Sequence, residues 1–297
     1  MEKSFRTRSE PEANYKSVFF NGKTLRMPID PNKPVTELRF PEFWDISLGN
    51  KCVTGRCNYC YASGNPDGER YSSVVDKVKS FFGEMSMNER PYQIATGGES
   101  EPLEHPEFWE YSKVLNELGI VPNFTTNGVL MTERQIENIQ KYTGGVAVTY
   151  HPHLSKFFFR TLKLLKAHNI KCNVHFIISD TQSINLLKDI YKEWSESVEY
   201  FVLLKYINVG FAAKNPKEVD YNSLEEFCDT NWKNGNFAFG ARFYEFLLEK
   251  RKYDVSLYPP EQMSKYLIMK DMSVYNNSFE CKPVPFSKER GCLISNQ

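Results

Sequence analysis

The chain has 297 residues, with 37 Lys and Arg against 37 Asp and Glu, so its formal net charge is zero. This length suffices for one large α/β barrel or two ordinary domains, and the balanced charge argues against general nucleic-acid or membrane-surface binding. The charged first dozen residues predict no signal peptide, and no window approaches the roughly 20 apolar residues of a membrane span. The seven cysteines, an odd number, argue against a disulfide framework, so we predict a reducing cytoplasm.

The first 42 residues precede the predicted barrel. Segments 17–20 and 23–27 flank Asn21-Gly22, which predicts a hairpin with a type I′ turn. Three prolines then mark a loop. We predict that residues 1–42 form an N-terminal extension covering one end of a barrel, although the first dozen residues fit a flexible tail equally well.

From residue 43 onward, strand-like runs alternate with helical periodicity. The apolar, β-branched runs begin near Trp44, Tyr92, Ile120, Val146, Cys172 and Tyr200. Between them, segments such as 108–118 and 184–194 place their apolar residues on one helical face. This alternation predicts parallel βαβ units and an α/β fold, with a doubly wound open sheet as the alternative to a barrel.

Three cysteines stand close together directly after the first strand. Cys52, Cys57 and Cys60 have the spacing C-x4-C-x2-C. Three thiolates on one loop can hold three corners of an iron–sulfur cube and leave one iron open for chemistry. The alternative is a zinc knuckle, whose fourth ligand would have to come from a distant residue such as Cys281 or Cys292.

This segment resembles the cluster-binding loop of the radical S-adenosylmethionine (radical SAM) superfamily, in which an aromatic residue such as Tyr59 precedes the third cysteine. The usual family spacing is C-x3-C-x2-C, so this chain carries one extra residue. We predict that a bulge at Gly55, where glycine can take a positive φ, accommodates it. The resemblance covers residues 43–210 and implies a partial (β/α)6 TIM-like barrel, followed by a C-terminal α/β cap over residues 211–297.

A glycine pair and two carboxylates follow the second strand. Gly97 and Gly98 let the backbone approach a ligand closely, and a carboxylate can accept a hydrogen bond from a ligand ammonium. The segment resembles the family's GGE motif, which binds the amino group of SAM. Glu99 directly follows the glycines, whereas Glu101 has the family's usual Glu-Pro context, so both are candidates and Glu101 is slightly favoured. The alternative is a plain βα turn with solvated acids. His105 is expected to cap or brace this loop and not to bind a metal.

Further candidates stand at the ends of the later strands. The resemblance implies that Asn127 lines a nucleoside pocket, that Thr149 binds the SAM ribose and that Ile178 contacts adenine; a simple turn at Asn127 is equally compatible. His151 and His153 are candidates for facing the substrate, and a metal site there is disfavoured because a proline separates them.

Two basic residues and three later cysteines are ambiguous. His175 either enters the barrel or is a satisfied core histidine, and Lys205 either contacts substrate or emerges into solvent. Cys172 is expected to be a buried thiol. The later cysteines either hold an auxiliary cluster or are core thiols; they are Cys228, Cys281 and Cys292.

The resemblance implies an enzyme with a 4Fe-4S cluster and SAM as cofactors. In such enzymes, reductive cleavage of SAM yields a 5′-deoxyadenosyl radical that abstracts a hydrogen atom from a substrate, here unidentified. A flavodoxin- or ferredoxin-like electron donor is also implied. The alternative is a non-catalytic zinc or electron-transfer Fe–S module on an α/β scaffold, which explains the cysteines without explaining the glycine–glutamate loop.

Overall fold

The computed structural model describes residues 5–231, 235–250, 264–279, 283–287 and 291–292. The strands are β1 (Phe5–Glu10), β2 (Tyr15–Phe20), β3 (Lys23–Pro28), β4 (Phe43–Ser47), β5 (Gln93–Thr96), β6 (Val121–Thr126), β7 (Gly145–Thr149), β8 (Asn173–Ile178), β9 (Tyr200–Lys205), β10 (Phe237–Phe239), β11 (Ser264–Ile268), β12 (Ser273–Tyr275), β13 (Phe286–Ser287) and β14 (Gly291–Cys292). The α-helices are α1 (Val74–Gly83), α2 (Phe108–Glu117), α3 (Glu133–Tyr142), α4 (Ser155–Ala167), α5 (Thr181–Trp194), α6 (Tyr221–Asn231) and α7 (Tyr244–Glu249).

The main sheet has nine strands in the order β10-β9-β8-β7-β6-β5-β4-β11-β12, and all but β12 run parallel to their neighbours. Strands β4 to β9 lie side by side in sequence order. Each crossover therefore steps in the same direction, whereas a doubly wound sheet reverses direction at a switch point. This order confirms the predicted α/β partial barrel and rules out the doubly wound alternative.

The six central strands begin within one residue of the positions predicted from the apolar runs. Side chains alternate along each strand, so one face packs on the helices and the other lines the barrel interior. On β4, for example, Trp44 packs edge-on against Phe81 and Phe82 of α1. Asp45, the next residue of β4, therefore lies on the opposite face, which lines the barrel interior.

The C-terminal region contributes to the same sheet. Strand β10 pairs parallel with β9, and β11 pairs parallel with β4, so both edges of the six-stranded core are extended. The predicted boundary at residue 210 thus divides a continuous sheet. Strand β10 has only three residues, which is too short to show the alternation that revealed the earlier strands.

The N-terminal extension is a three-stranded antiparallel sheet. Asn21 and Gly22 have φ values of 49° and 74°, which confirms the predicted type I′ turn. Residues 5–10 form β1, so the flexible-tail alternative is wrong for them. Phe19 stacks on Tyr92 at 5.0 Å, immediately before β5, which places this sheet at the amino-terminal end of the barrel strands.

No helix in the described part of the chain combines the length and the apolar character needed to cross a membrane.

Candidate functional site

The cysteine loop lies at the carboxyl end of β4, where a parallel barrel gathers its functional groups. A Cβ added to Gly55 would lie 2.7 Å from Cys52 Sγ and 3.8 Å from Cys57 Sγ, so both thiols lie against this glycine. The Cys60 amide donates to the Cys57 carbonyl at 3.2 Å, and Cys60 Sγ accepts from the Gly64 amide at 3.4 Å. The loop therefore curls so that its three cysteines lie close together.

The extra residue of the loop is accommodated differently from the prediction. The left-handed backbone conformation falls on Arg56, with a φ of 47°, and Gly55 does not have a positive φ. The prediction of a positive-φ bulge at Gly55 was therefore wrong. Gly55 is instead required by space, because any side chain would collide with the sulfur of Cys52.

Replacing Gly55 with Ala is expected to remove most of the iron that the reconstituted protein binds, because the added methyl group would lie only 2.7 Å from the Cys52 sulfur and displace it. Iron content per chain measures this effect. Arg56→Gly is the matched control and is expected to load normally, since glycine takes a positive φ without strain. Full loading of the Gly55 variant would contradict this account of the loop.

Glu104 anchors the cysteine loop, a role that was not predicted from the sequence. Its carboxylate accepts from the amides of Val53 and Thr54, both at 3.0 Å, and from the Thr54 hydroxyl at 2.8 Å. The Asn127 side-chain amide donates to the same hydroxyl at 2.8 Å. The loops after β4, β5 and β6 are thereby tied together. The sequence feature that could have indicated this role is the presence of a further glutamate three residues after Glu101.

We call this set of contacts between Glu104, Thr54 and Asn127 the bracket, and Glu101 contributes to it from the loop after β5. One carboxylate oxygen accepts from the backbone amide of Asn127 at 2.8 Å, and the other accepts from the backbone amide of Leu103 at 3.3 Å. The side chain is buried, and this burial raises the pKa of the carboxyl to about 7. Both oxygens of Glu101 are therefore already engaged with backbone groups.

Glu99 is placed differently. It is only half-buried, and burial raises its pKa, with Ser47 and Tyr266 as its polar neighbours. Gly98 precedes it with a φ of 81°, a conformation that favours glycine. Gly97 packs so closely on β6 that a Cβ would lie 3.3 Å from Thr125 Cβ. These two glycines turn the chain so that the half-buried carboxylate of Glu99 lies beside the hydroxyls of Ser47 and Tyr266, whereas Glu101 engages backbone amides.

The remaining predicted SAM contacts divide between the two faces of the sheet. Thr149 alternates with Val148, which packs in the helix-side core, so Thr149 lies on the interior face at the end of β7. Ile178 is fully buried in that helix-side core. At this end of β8 the side chain on the interior face is Ile177, so the predicted contact of Ile178 with adenine would have to be made from the opposite face.

Two of the five histidines have structural positions: His105 braces the loop after β5, and His175 lies on the interior face of the barrel. His105 Nε2 donates to the Tyr71 carbonyl at 2.9 Å, and its Nδ1 accepts from the Glu107 amide at 3.2 Å, which confirms the predicted bracing role. His175 lies on the interior face of β8, where burial lowers its pKa to about 4. It is therefore a neutral side chain of the barrel interior.

His151 and His153 were predicted as candidates for facing the substrate, but they lie against the cysteine loop beside Cys57. Lys205 turns toward the helices, with its ammonium 5.6 Å from the centre of the Tyr221 ring. The histidine pair is therefore associated with the cysteine loop, and Lys205 is associated with α6.

The barrel interior also holds polar groups that were not predicted. The Asp45 side chain is exposed to the space inside the barrel. Protein surrounds that space, and the resulting desolvation raises the pKa of the Asp45 carboxyl to about 7. Its neighbour across the strand pair is Tyr266. The Tyr266 hydroxyl is buried and makes no hydrogen bond of normal geometry within the described residues. The sequence feature that could have indicated an interior polar group is the aspartate within the mostly apolar strand β4.

The other described cysteines lie away from the loop. Cys172 is buried, as predicted, and so is Cys228. Cys292 is also buried, and its amide donates to the Arg39 carbonyl at 2.7 Å, beside the N-terminal extension. Cys292 therefore cannot complete a zinc knuckle with the loop cysteines without a large movement. The predictions for Cys281 lie outside the described residues.

The residues of the loop suit an iron–sulfur cluster, because three soft thiolates from one loop can hold such a group. Burial raises the pKa of Cys52 to about 11 and, together with the charges of the neighbouring thiols, that of Cys57 to about 12. Metal binding would have to displace these protons. Gly55 has no side chain, so the sulfurs of Cys52 and Cys57 can both lie against its backbone.

Comparison with known proteins defines the class of fold. The structure is similar to SuiB from Streptococcus suis bound to S-adenosylmethionine, with a TM-score of 0.63 and 15% identity over 81% of this chain and 61% of SuiB. It is also similar to anSMEcpe with bound AdoMet, with a TM-score of 0.57 and 16% identity over 84% of this chain and 77% of anSMEcpe. This chain shares its partial-barrel fold with these two proteins, both of which were solved with S-adenosylmethionine bound.

The similarity has clear bounds. The chain spans 61% of the length of SuiB. The sequence matches no protein-family model and no curated protein. SuiB has also been solved bound to the precursor peptide SuiA, and anSMEcpe with AdoMet and the Cp18Cys peptide. The comparison thus defines the fold of this chain, and its chemistry has to be argued from its own residues.

Proposed function

We propose that this chain is a radical SAM enzyme. The observation that carries the proposal is the bracket at the carboxyl ends of β4, β5 and β6, in which Glu104 and Asn127 hold a three-cysteine loop beside the glycine–glutamate turn. A structural metal module would need the cysteines alone. The bracket instead brings a three-thiolate site next to the half-buried carboxylate of Glu99 inside a barrel of the matching fold.

Each group in the bracket has a definite task in this proposal. Cys52, Cys57 and Cys60 would hold a 4Fe-4S cluster and leave one iron for SAM. Glu99 would accept a hydrogen bond from the SAM ammonium, and Glu101 would keep the turn in place. Together, the cluster and SAM supply a 5′-deoxyadenosyl radical that abstracts a hydrogen atom from the substrate.

Other residues would shape the nucleoside side of the site. Thr149, on the interior face at the end of β7, would contact the ribose, and Tyr59 would lie near the cofactor. Asn127 uses its backbone and side chain to join the loops, so its role would be to position the pocket. Ile177 replaces Ile178 as the apolar group available to adenine. The barrel walls would exclude water and competing hydrogen donors from the radical.

The substrate and the electron donor are part of the proposal. The bound peptides of SuiB and anSMEcpe favour a peptide substrate over a nucleotide or a small metabolite. A flavodoxin- or ferredoxin-like protein would reduce the cluster, and an oxygen-sensitive cluster would require a reducing compartment.

Anaerobic reconstitution with iron and sulfide tests the proposal. We expect a brown protein with broad absorbance near about 400 nm, which cleaves SAM to methionine and 5′-deoxyadenosine when dithionite is added. A colourless protein that binds zinc would support the structural alternative. A brown protein that leaves SAM intact would support an electron-transfer module.

A further inference from the structure

Two imidazole side chains lie beside the sulfur of Cys57. This sulfur lies 3.7 Å from His151 Nδ1 and 3.8 Å from His153 Nε2. The Tyr59 hydroxyl also lies within hydrogen-bonding range of this sulfur. Cys60, in contrast, has a backbone amide, that of Gly64, as its hydrogen-bond donor.

The contacts of the two imidazoles show how their polar hydrogens are directed. His153 Nε2 lies 2.7 Å from the Gly55 carbonyl oxygen. Because a carbonyl oxygen can only accept, this nitrogen carries a hydrogen, and the same N–H faces the sulfur of Cys57. His151 Nδ1 is 2.9 Å from the Tyr59 hydroxyl, so one hydrogen is shared between these groups. Two hydrogens can therefore face this sulfur: the His153 Nε2–H, which it shares with the Gly55 carbonyl, and the Tyr59 hydroxyl hydrogen when Tyr59 accepts from His151 Nδ1–H.

The position of the histidines is set by the fold. Both stand in the loop that follows β7, where Pro152 begins a short 3-10 turn ending at Leu154. This turn puts the two rings side by side, with their centres 5.9 Å apart. The two rings reach Cys57 from a strand nearly 100 residues away in sequence, so their contacts belong to the barrel and not to the loop itself.

We propose that Tyr59, His151 and His153 form a hydrogen-bonding shell that raises the reduction potential of the cluster through the sulfur of Cys57. A thiolate bound to iron can only accept hydrogen bonds. Donors to a ligand sulfur withdraw electron density and stabilise the reduced, more negative cluster, which is a recognised determinant of iron–sulfur potentials. The shell would make the cluster accessible to a weaker electron donor. This inference rests on the cluster proposed above.

The test is an anaerobic redox titration of the reconstituted protein without SAM, followed by the electron paramagnetic resonance signal of the reduced cluster. His151→Leu and His153→Leu remove the donors, and His151→Gln and His153→Gln keep an N–H. We expect each leucine variant to be reduced less readily by roughly tenfold. For a one-electron couple this corresponds to a potential about 59 mV more negative. The glutamine variants should recover part of the shift.

His168→Leu is the matched control, because His168 pairs with Glu133 on the surface and should leave the potential unchanged. If the leucine variants lose their cluster, Tyr59→Phe makes the same comparison by removing one hydroxyl. Leucine or phenylalanine variants with loaded clusters and the wild-type potential would overturn the inference alone. A wild-type protein that takes up no cluster would overturn the proposed function as well.

Discussion

Replacing Cys57 with Ala is expected to abolish assembly of the cluster. Three thiolates come from one loop, and the other described cysteines are buried elsewhere, so none of them can substitute. A cube held by two cysteines is not retained through purification, and the iron content should fall from about four per chain to background. The same outcome is expected for Cys52→Ala and Cys60→Ala. Iron and acid-labile sulfide analysis after reconstitution provides the measurement.

Cys172→Ala is the matched control, because Cys172 is a buried thiol just before β8 that makes no contact with the loop. Its loss should leave iron content near that of the unaltered protein. A normal iron content in Cys57→Ala would show that the cysteine loop is not the metal site.

Replacing Glu99 with Gln is expected to weaken SAM binding about ten- to a hundredfold while leaving cluster content and thermal stability unchanged. The carboxylate is half-buried, and a charge-assisted hydrogen bond to an ammonium contributes roughly 1.5–3 kcal/mol. Equilibrium binding of SAM to the fully loaded protein measures the change.

Glu101→Gln is the informative comparison, and its expected effect is on stability. Both oxygens of Glu101 accept from backbone amides, and an amide side chain would direct its NH2 group at one of them. An unpaired buried donor costs about 1–3 kcal/mol, so the unfolding temperature should fall. SAM affinity should fall less than in Glu99→Gln. The reverse order of affinities would reassign the ammonium contact to Glu101.

The comparison of the two glutamates shows where sequence reasoning stopped. The Glu-Pro context favoured Glu101 slightly, and continuity with Gly98 favoured Glu99. The sequence contained both signals, but it did not show which carboxylate the backbone amide of Asn127 would engage. That contact joins residues 26 positions apart and depends on how the loops after β5 and β6 approach each other. Because the carboxylate of Glu101 already accepts from two backbone amides, we propose Glu99 for the ammonium contact.

The cysteine loop illustrates the same division on a smaller scale. Spacing alone identified the three thiols, because ligands on one loop are close in sequence as well as in space. It did not show that Arg56 takes the left-handed conformation, or that Gly55 is needed for the space beside Cys52. Those features depend on where the sulfurs point once His153 and Glu104 hold the loop.

The sequence by itself determined the strand–helix alternation and the three-cysteine loop at the end of the first barrel strand. These features are encoded locally, since burial on one face repeats every two or 3.6 residues and a loop motif spans a few positions. Only the tertiary structure decided that His151 and His153 lie against Cys57, that Glu104 anchors the loop and that Ile178 faces the helices. Such contacts depend on strand register and loop shape, which position side chains to within a few tenths of an ångström and leave no periodic trace in the chain.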